Sequence, residues 1–456
     1  MGVREVIARS AGSLSRRLGQ GGGTTLPGRI MLKLDPAALE RLGSRLPDGS
    51  VLISATNGKT TTSSMLASIL TGSGRSIIAN SAGSNMPWGI VTALLEGDGE
   101  IGLFEVDEAW LPQVASSLEP RVILLGNLFR DQLDRYGETE TIASRWAEMA
   151  AGSDAVFAIN VDDPLVSAVG DAARNRPIGF GLEDRSLALS EVEHARDAKH
   201  CRACGKPLLF EATFIGHLGH WACPSCGRSR PAPEVFASDV VLHGMDGLSA
   251  QITTPSGTAR LRLPVPGLYN LYNALGAVAT GESLGIGLES TIKGLEQVKA
   301  VFGRVERIPL GAGEVSILLV KNPVGANEVL RTLAGEDHQI NLWIALNDKI
   351  ADGRDVSWIW DADFERLADR TAQVVCSGTR APEMALRLKY AGFPESSITV
   401  EPSIGRSFDA MVDQVQGDLF ALPTYTALLE LKDHLATSRG LRNFWEDGAL
   451  ADGSPD

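Results

Sequence analysis

The octapeptide Ala55-Thr56-Asn57-Gly58-Lys59-Thr60-Thr61-Thr62 stands between a short apolar run, Val51–Ala55, and a segment of helical spacing, Thr60–Leu70. A strand that passes through such a loop straight into a helix commits the chain to a βαβ start, and so to a parallel sheet covered by helices. The residue types fit one chemistry. A flexible Gly58 lets backbone N–H groups turn inward toward phosphate, Lys59 meets the terminal phosphates, and the Thr60 hydroxyl suits Mg2+. The strict G-x-x-x-x-G-K-[ST] pattern fails at its first glycine, where Ile53 stands, yet the strand–loop–helix setting points to ATP.

The same rhythm continues downstream. Ile101–Val106, Val122–Gly126 and Ala155–Asn160 read as strands separated by helix-length segments. It breaks between about 195 and 230, where Cys, Gly and Pro take over, and resumes at Gly267 with a helix rich in Asn and Ala. A second α/β block starts near 308. Its expected strands are Val315–Val320, Ile340–Ala345, Ala372–Cys376 and Ser397–Val400, and its expected helices are Glu328–Ala334, Ala381–Tyr390 and one from Arg406. The chain of 456 residues therefore divides into a lead-in at 1–50, a first α/β domain at 51–305 and a second at 306–456. The lead-in carries Arg-rich helical text, the flexible Gly21-Gly22-Gly23 and an amphipathic stretch from Asp35 to Leu46, and the tail Gly448–Asp456 reads as frayed.

Charge narrows the partners. Lys and Arg total 42 against 56 Asp and Glu, a formal net charge of −14, which opposes nucleic acid or an anionic membrane as the main partner. No uninterrupted apolar run reaches the roughly 18 residues a membrane span requires, so no transmembrane segment is expected. Met1–Gln20 holds several Arg but no apolar h-region, unlike a secretory signal. A cytosolic chain is expected.

Of the five cysteines, Cys201, Cys204, Cys223 and Cys226 form two C-x-x-C turns. Each turn offers two thiolates to one tetrahedral ion, and Gly205 and Gly227 suit the tight turns that follow. Four ligands leave no open position, so the reading is a structural zinc ribbon at about 198–230. His200, His217 and His220 lie nearby and could substitute, but four cysteines already satisfy the ion. Arg202, Lys206, Arg228 and Arg230 make only a modest positive cluster for nucleic acid. Cys376 follows an apolar strand with no His nearby in sequence and reads as a buried structural thiol.

The phosphate octapeptide closely resembles the G-T-N-G-K-T-T-T loop of the Mur ligase superfamily, with Ala55 in place of the first Gly. Five further segments match in order. Phe104-Glu105-Val106-Asp107-Glu108 corresponds to the strand end that supplies a Mg2+-binding Glu. Asn127 to Gly137 resembles T-N-x-x-x-D-H-L-D-x-H-G, with Gln132 replacing a metal-binding His. Ile159 to Pro164 resembles L-N-x-D-D-P, Gly267 to Asn273 resembles G-x-H-N-x-x-N, and Phe302 to Glu306 resembles G-R-x-E. Several members carry a carbamylated Lys after D-H-L-D, but no Lys occurs between Lys59 and Lys199. Leu318 to Gly325 departs from the D-Y-A-H-x-P-like segment of amino-acid-adding members. Together with Leu346 to Asp361, Leu422 to Leu431 and the inserted ribbon, it resembles the MurT-type ligase subunits of lipid II isoglutaminyl synthase.

The resemblance implies an α/β fold: a Mur-ligase-like central P-loop domain with a parallel sheet and an inserted four-cysteine zinc ribbon, plus a C-terminal Rossmann-like α/β domain. It implies ATP on Thr56, Asn57, Gly58, Lys59, Thr60 and Thr61, with Asn270 and Arg304 positioning the nucleotide. Mg2+ would sit on Thr60 and on Glu105 or Glu108, and Zn2+ on the four cysteines. The implied reaction is amidation of the D-glutamate α-carboxylate of lipid II to D-isoglutamine through an acyl phosphate. Lys59 and Glu108 would serve that chemistry, and a lipid-linked substrate implies work at the inner face of the membrane. Ammonia must arrive neutral, and the chain offers no glutaminase of its own. A GatD-like glutamine amidotransferase partner is therefore implied, its Cys–His pair completed by an Asp of this chain, Asp355 or, second, Asp352. Trp358 and Trp360 would anchor that partner or belong to the core. Two other readings remain in view: a ligase that adds an amino acid, and a zinc-ribbon NTPase that binds nucleic acid.

Overall fold

Runs of consecutive apolar residues become central parallel strands, because a strand covered by helices on both faces has no solvent side to fill with polar residues. The computed structural model describes residues 3–17, 25–80, 83–130, 139–190, 197–298, 304–310, 313–415 and 417–439. Its described residues fall into two units. The first runs to residue 298 apart from 242–247 and 265–268, and the second takes those two segments and the rest.

The strands of the first unit are β1 (Ser50–Ser54), β2 (Ile77–Ala79), β3 (Ile101–Glu105), β4 (Val122–Leu125), β5 (Val156–Asn160), β6 (Ile178–Leu182), β7 (Leu209–Ile215), β8 (Leu218–Ala222), β9 (Val235–Leu242), β10 (Leu248–Thr254) and β11 (Gly257–Leu263). Nine of them form one sheet in the order β11-β10-β9-β6-β5-β4-β1-β3-β2, while β7 and β8 pair only with each other. Pairing is parallel from β2 through β6 to β9, with β10 and β11 antiparallel at one edge. Since β2 and β3 lie to one side of β1 and β4 to the other, the chain reverses direction across the sheet at β1. Open α/β sheets bind ligands in the crevice outside the strand C-termini at such a point. The register pairs Ile53 with Glu105 and Ser54 with Leu125, so the phosphate loop, the acidic strand end and the Asn127 loop leave the sheet at one edge.

All five residues of β1 are buried, and Leu52, Phe104, Ile123 and Phe157 share one core with Trp146 of the helix Thr139–Gly152. The lead-in is part of that body. Its helices Val3–Arg17, Leu26–Leu34 and Ala38–Gly43 contribute Ala8, Met31, Leu39 and Leu42 to the same core. Buried Glu5 pairs with Arg41 at 2.7 Å and Arg45 at 2.6 Å. Gly21-Gly22-Gly23 and the tail from 440 lie outside the described residues.

The second unit has β12 (Arg304–Leu310), β13 (Gly313–Leu318), β14 (Ile340–Ala345), β15 (Thr371–Ser377), β16 (Ile398–Val400) and β17 (Leu419–Pro423), in the order β12-β13-β17-β14-β15-β16. Only β12–β13 is antiparallel. Side-chain alternation splits its core in two. Leu342, Ile344, Val374, Cys376, Phe420 and Leu422 face one set of helices, whereas Trp343, Ala345, Leu419 and Ala421 face the helices Ile404–Gln414 and Tyr425–Arg439. Cys376 has no exposed surface, and burial pushes its thiol up to about 12. The helix expected from Glu328 starts at Pro323 instead. Asn322 caps it by accepting the Gly325 N–H at 2.8 Å, and proline fills the first turn, where no N–H is needed.

Candidate active site

The phosphate loop is fixed from below by the segment after β4. The Thr56 N–H donates to the Asn127 carbonyl (2.9 Å), the Asn57 N–H to Asn127 Oδ1 (2.9 Å), and Asn127 Nδ2 returns a bond to the Asn57 carbonyl (3.0 Å). Thr56 Oγ1 bridges in both directions to the amide (3.0 Å) and carbonyl (3.2 Å) of Phe129. A Cβ at Gly126 would lie 2.9 Å from that of Ala55, so Ala55 is accommodated where Gly is usual because its neighbour has no side chain. Gly58 adopts φ 95°, and a Cβ there would fall 2.1 Å from Asn273 Oδ1. That position needs glycine on both counts.

Helix Lys59–Gly72 begins at Lys59 with no capping side chain at Gly58, so a positive helix end faces the loop. Lys59 Nζ meets Glu108 at 3.0 Å and also donates to the Ala55 carbonyl. Thr60 Oγ1 donates to Glu105 Oε2 at 3.0 Å. Buried Glu105 is held through its backbone, with its N–H on Asn80 Oδ1 and its carbonyl on Asn80 Nδ2. The Glu108 carbonyl accepts from Trp146 Nε1 at 2.9 Å. Thr61 Oγ1 is buried with no hydrogen-bond partner among the described residues. A hydroxyl beside a carboxylate, a cation and an orphaned hydroxyl at an uncapped helix end together make a donor set that fits a Mg2+–nucleotide phosphate.

Asn270 is buried, and its Oδ1 accepts from Asn273 Nδ2 at 3.1 Å. Arg304 opens β12, and its side chain lies outside the described residues, as does the stretch Asp131–Gly137. Sequence reading assigned no role to Asn80, Asn127 or Asn273. Asn80 and Asn127 follow strand ends, where an amide that both donates and accepts replaces backbone bonds, whereas Asn273 lies within the helix Leu268–Ser283.

The four cysteines converge, with their Sγ atoms all within 4.8 Å of one another. The two turns are built alike. Cys201 and Cys223 accept from the Gly205 and Gly227 N–H groups and donate to the Lys206 and Arg228 carbonyls. Both glycines have the positive φ expected, 71° and 77°. Burial pushes the Cys223 thiol up, but the Cys226 and Ser225 N–H groups and the Cys204 thiol outweigh it and bring it down to about 7. Cys226 is pushed up to about 12: the Arg228 N–H lowers it, but the Cys223 and Cys201 thiols prevail. Crowded thiols that cannot all ionise alone fit a divalent ion such as zinc. His217 and His220 point away from this cluster and are buried, with His220 Nε2 bonded to the Leu182 carbonyl at 2.8 Å. They are not stand-in ligands.

At the C-terminal edge of the second sheet the acids separate by environment. Asp352 is buried and accepts from the Thr426 N–H (2.7 Å) and hydroxyl (2.5 Å), tying the helix Tyr425–Arg439 to its loop. Burial pushes its carboxyl up. Asp348 pairs with Arg380 at 2.8 Å, and the Thr379 hydroxyl and Arg380 hold its carboxyl low. Asp355 is exposed, and the Ser357 hydroxyl and N–H (2.8 Å) hold it below the usual carboxylate range. Trp358 packs against the core, whereas Trp360 is 49% exposed, edge-on to Tyr390.

Residues 53–222 match the Mur ligase middle domain family, and residues 319–428 match the MurT ligase C-terminal family. The chain is 31% identical over 444 residues to the lipid II isoglutaminyl synthase (glutamine-hydrolyzing) subunit MurT of Streptococcus pneumoniae, covering 96% of this chain and 97% of that one. Identity to the subunit of the same name from Staphylococcus aureus is 33% over 441 residues, covering 95% and 97%. Among solved structures, a pseudomurein peptide ligase type C from Methanothermus fervidus aligns with a TM-score of 0.69 at 21% identity, over 87% of this chain and 80% of that one. MurF from Acinetobacter baumannii aligns with a TM-score of 0.63 at 19% identity, over 88% and 80%. These two show the fold.

Proposed function

The chain belongs to the MurT family of lipid II isoglutaminyl synthase subunits, and on that premise we propose how its residues carry out ATP-dependent amidation of lipid II in peptidoglycan synthesis. A carboxylate resists attack by an amine and has no good leaving group. Its oxygen therefore attacks the γ-phosphorus of ATP, ADP departs, and a mixed anhydride results. Neutral ammonia then adds to the acyl carbon, and inorganic phosphate leaves with the former carboxylate oxygen. The carboxylate we assign is the α-carboxylate of D-glutamate, which becomes D-isoglutamine.

Thr56 to Thr61 wrap the phosphates, Lys59 moves from Glu108 onto the β/γ oxygens, and Asn270 and Arg304 position the nucleotide. Thr60 and Glu105, already hydrogen-bonded to each other, would hold Mg2+, with Glu108 close by. A bound metal would supply charge neutralisation to the phosphates. Residues 51–305 form the nucleotide domain, with the four cysteines on Zn2+. Residues 306–456 face a GatD-like glutaminase whose Cys–His pair Asp355 completes, since Asp352 is committed to Thr426. No helix among the described residues is long and apolar enough to cross a membrane, and we place the chain in the cytoplasm at the inner face, where its lipid-linked substrate is.

The observation that carries this reading is the pair of contacts Thr60–Glu105 and Lys59–Glu108 at the mouth of β1. The test is reconstitution of the chain with the glutaminase, lipid II, Mg–ATP and glutamine. The product must have exchanged one hydroxyl for one amino group, and labelled carboxylate oxygen must appear in phosphate. A product heavier by an amino-acid residue, or no product, refutes it.

A further inference from the structure

The cysteine hairpin takes no part in that chemistry, yet its far end is built into the scaffold of the nucleotide site. His217 sits in the turn between β7 and β8, on the end of the hairpin away from the cysteines, and has no exposed surface. Its ring lies 4.7 Å from that of Phe129, tilted at 54°, and its Nε2 is 3.3 Å from Asp163 Oδ2. Neither ring nitrogen has a partner in hydrogen-bond geometry among the described residues, so the approach to Asp163 is a close polar contact. A fully buried imidazole with one long polar contact is not there for its own stability.

What it touches is informative. Asp163 Oδ2 accepts the Leu128 N–H at 2.8 Å, while Oδ1 accepts from Leu165 and Val166 and caps the helix Pro164–Ala172. Phe129 is the residue whose amide and carbonyl clasp Thr56 of the phosphate loop. The next residue, Arg130, is held by Asp197, which accepts its N–H at 2.9 Å and its guanidinium, four residues before the first cysteine. So Asp197 at the start of the inserted segment and His217 at the hairpin tip both reach the three residues that underlie the loop. The hairpin is also locked to the sheet: Trp221 Nε1 donates to the Val161 carbonyl at 3.0 Å, and the Gly219 N–H to the Asp162 carbonyl at 2.9 Å.

We propose that His217 is a positioning residue for nucleotide binding: through Phe129 and Asp163 the ribbon hairpin holds Leu128–Arg130 in the register that shapes the phosphate loop. This rests on the assignment of that loop to ATP. The test uses the full chain and measures Mg–ADP affinity by calorimetry, with zinc content and thermal melting recorded in parallel. His217→Ala should weaken Mg–ADP roughly tenfold with zinc content unchanged. His217→Gln, which keeps a donor toward Asp163, should recover affinity to within about threefold of wild type, whereas His217→Phe should not recover. Should the alanine variant fail to fold, the Gln–Phe difference alone decides. Equal affinity in the Gln and Phe variants, or a lower melting temperature with unchanged affinity, overturns the inference. A wild-type chain that binds no Mg–ADP overturns the ATP assignment as well, which separates the two failures.

Discussion

Gly58→Ala offers a test of the phosphate loop that does not touch its charges. At φ 95° an L-residue costs about 1–2 kcal/mol relative to the right-handed region. The added Cβ would lie 2.1 Å from Asn273 Oδ1 and 2.9 Å from its Cγ, so Asn273 must move and lose its 3.1 Å bond to Asn270, worth about 1 kcal/mol. The loop conformation should therefore be disfavoured by about 2–3 kcal/mol, which is roughly 30- to 150-fold in Mg–ADP affinity at 1.4 kcal/mol per decade. Calorimetric titration of Mg–ADP measures it. The geometry also predicts non-additivity. Asn273→Ala alone loses its hydrogen bond, and Gly58→Ala on that background adds only the backbone cost, so the double variant should be less impaired than the two losses combined. Affinity within threefold of wild type in Gly58→Ala, or strict additivity, refutes the reasoning.

Lys59→Ala should abolish ATP turnover and leave Glu108 without its cation, while capture of the glutaminase subunit persists; unchanged turnover would mean the loop is misread. Asp355→Asn should depress glutamine hydrolysis by the complex without altering the melting temperature. Asp352→Asn should do the reverse, because its carboxylate is committed to Thr426. Asp348, held low by Thr379 and Arg380, contributes stability that is present above its ordinary value of 3.8 and lost as pH falls through its folded value. Asp348→Asn should therefore be less stable by about 0.5 kcal/mol at neutral pH, a gap that closes in acid in urea melts. Cys204→Ser should lower both zinc content and melting temperature, read by metal analysis and thermal unfolding of the same sample.

Much of this site was legible because its chemistry is local in sequence. Gly58, Lys59 and Thr60 are consecutive, and strand end and helix start follow from hydropathy spacing, so the loop could be placed before any tertiary contact was known. Glu105 and Glu108 could not be told apart, since three residues after a strand end span two orientations. Parallel pairing of Ile53 with Glu105 decides which carboxylate faces Thr60. Asp355 stood ahead of Asp352 on sequence, but the contact that sets their surroundings apart is not a local one. The cap that occupies Asp352 comes from Thr426, across a separation that no local pattern reports. Asn322-Pro323, by contrast, was a readable helix start, and the expected boundary at Glu328 passed over it.

The histidines near the cysteines show where spacing stops being informative. By sequence distance alone His217 and His220 are as eligible for the metal as any neighbour of a C-x-x-C turn. Their fate is set by the hairpin, whose register pairs Ile215 with Leu218 and Ala212 with His220. That register puts His217 at the tip, as far along the two strands as the chain allows from the thiols, and sends His220 to the Leu182 carbonyl. A ligand set needs its atoms at one point, and the antiparallel ladder forbids it. Because the tip instead meets Phe129 and Asp163, a domain inserted between β6 and β9 ends against a loop that follows β4. Sequence order hides that contact, and sheet order makes it a short one: β4, β5 and β6 are neighbours.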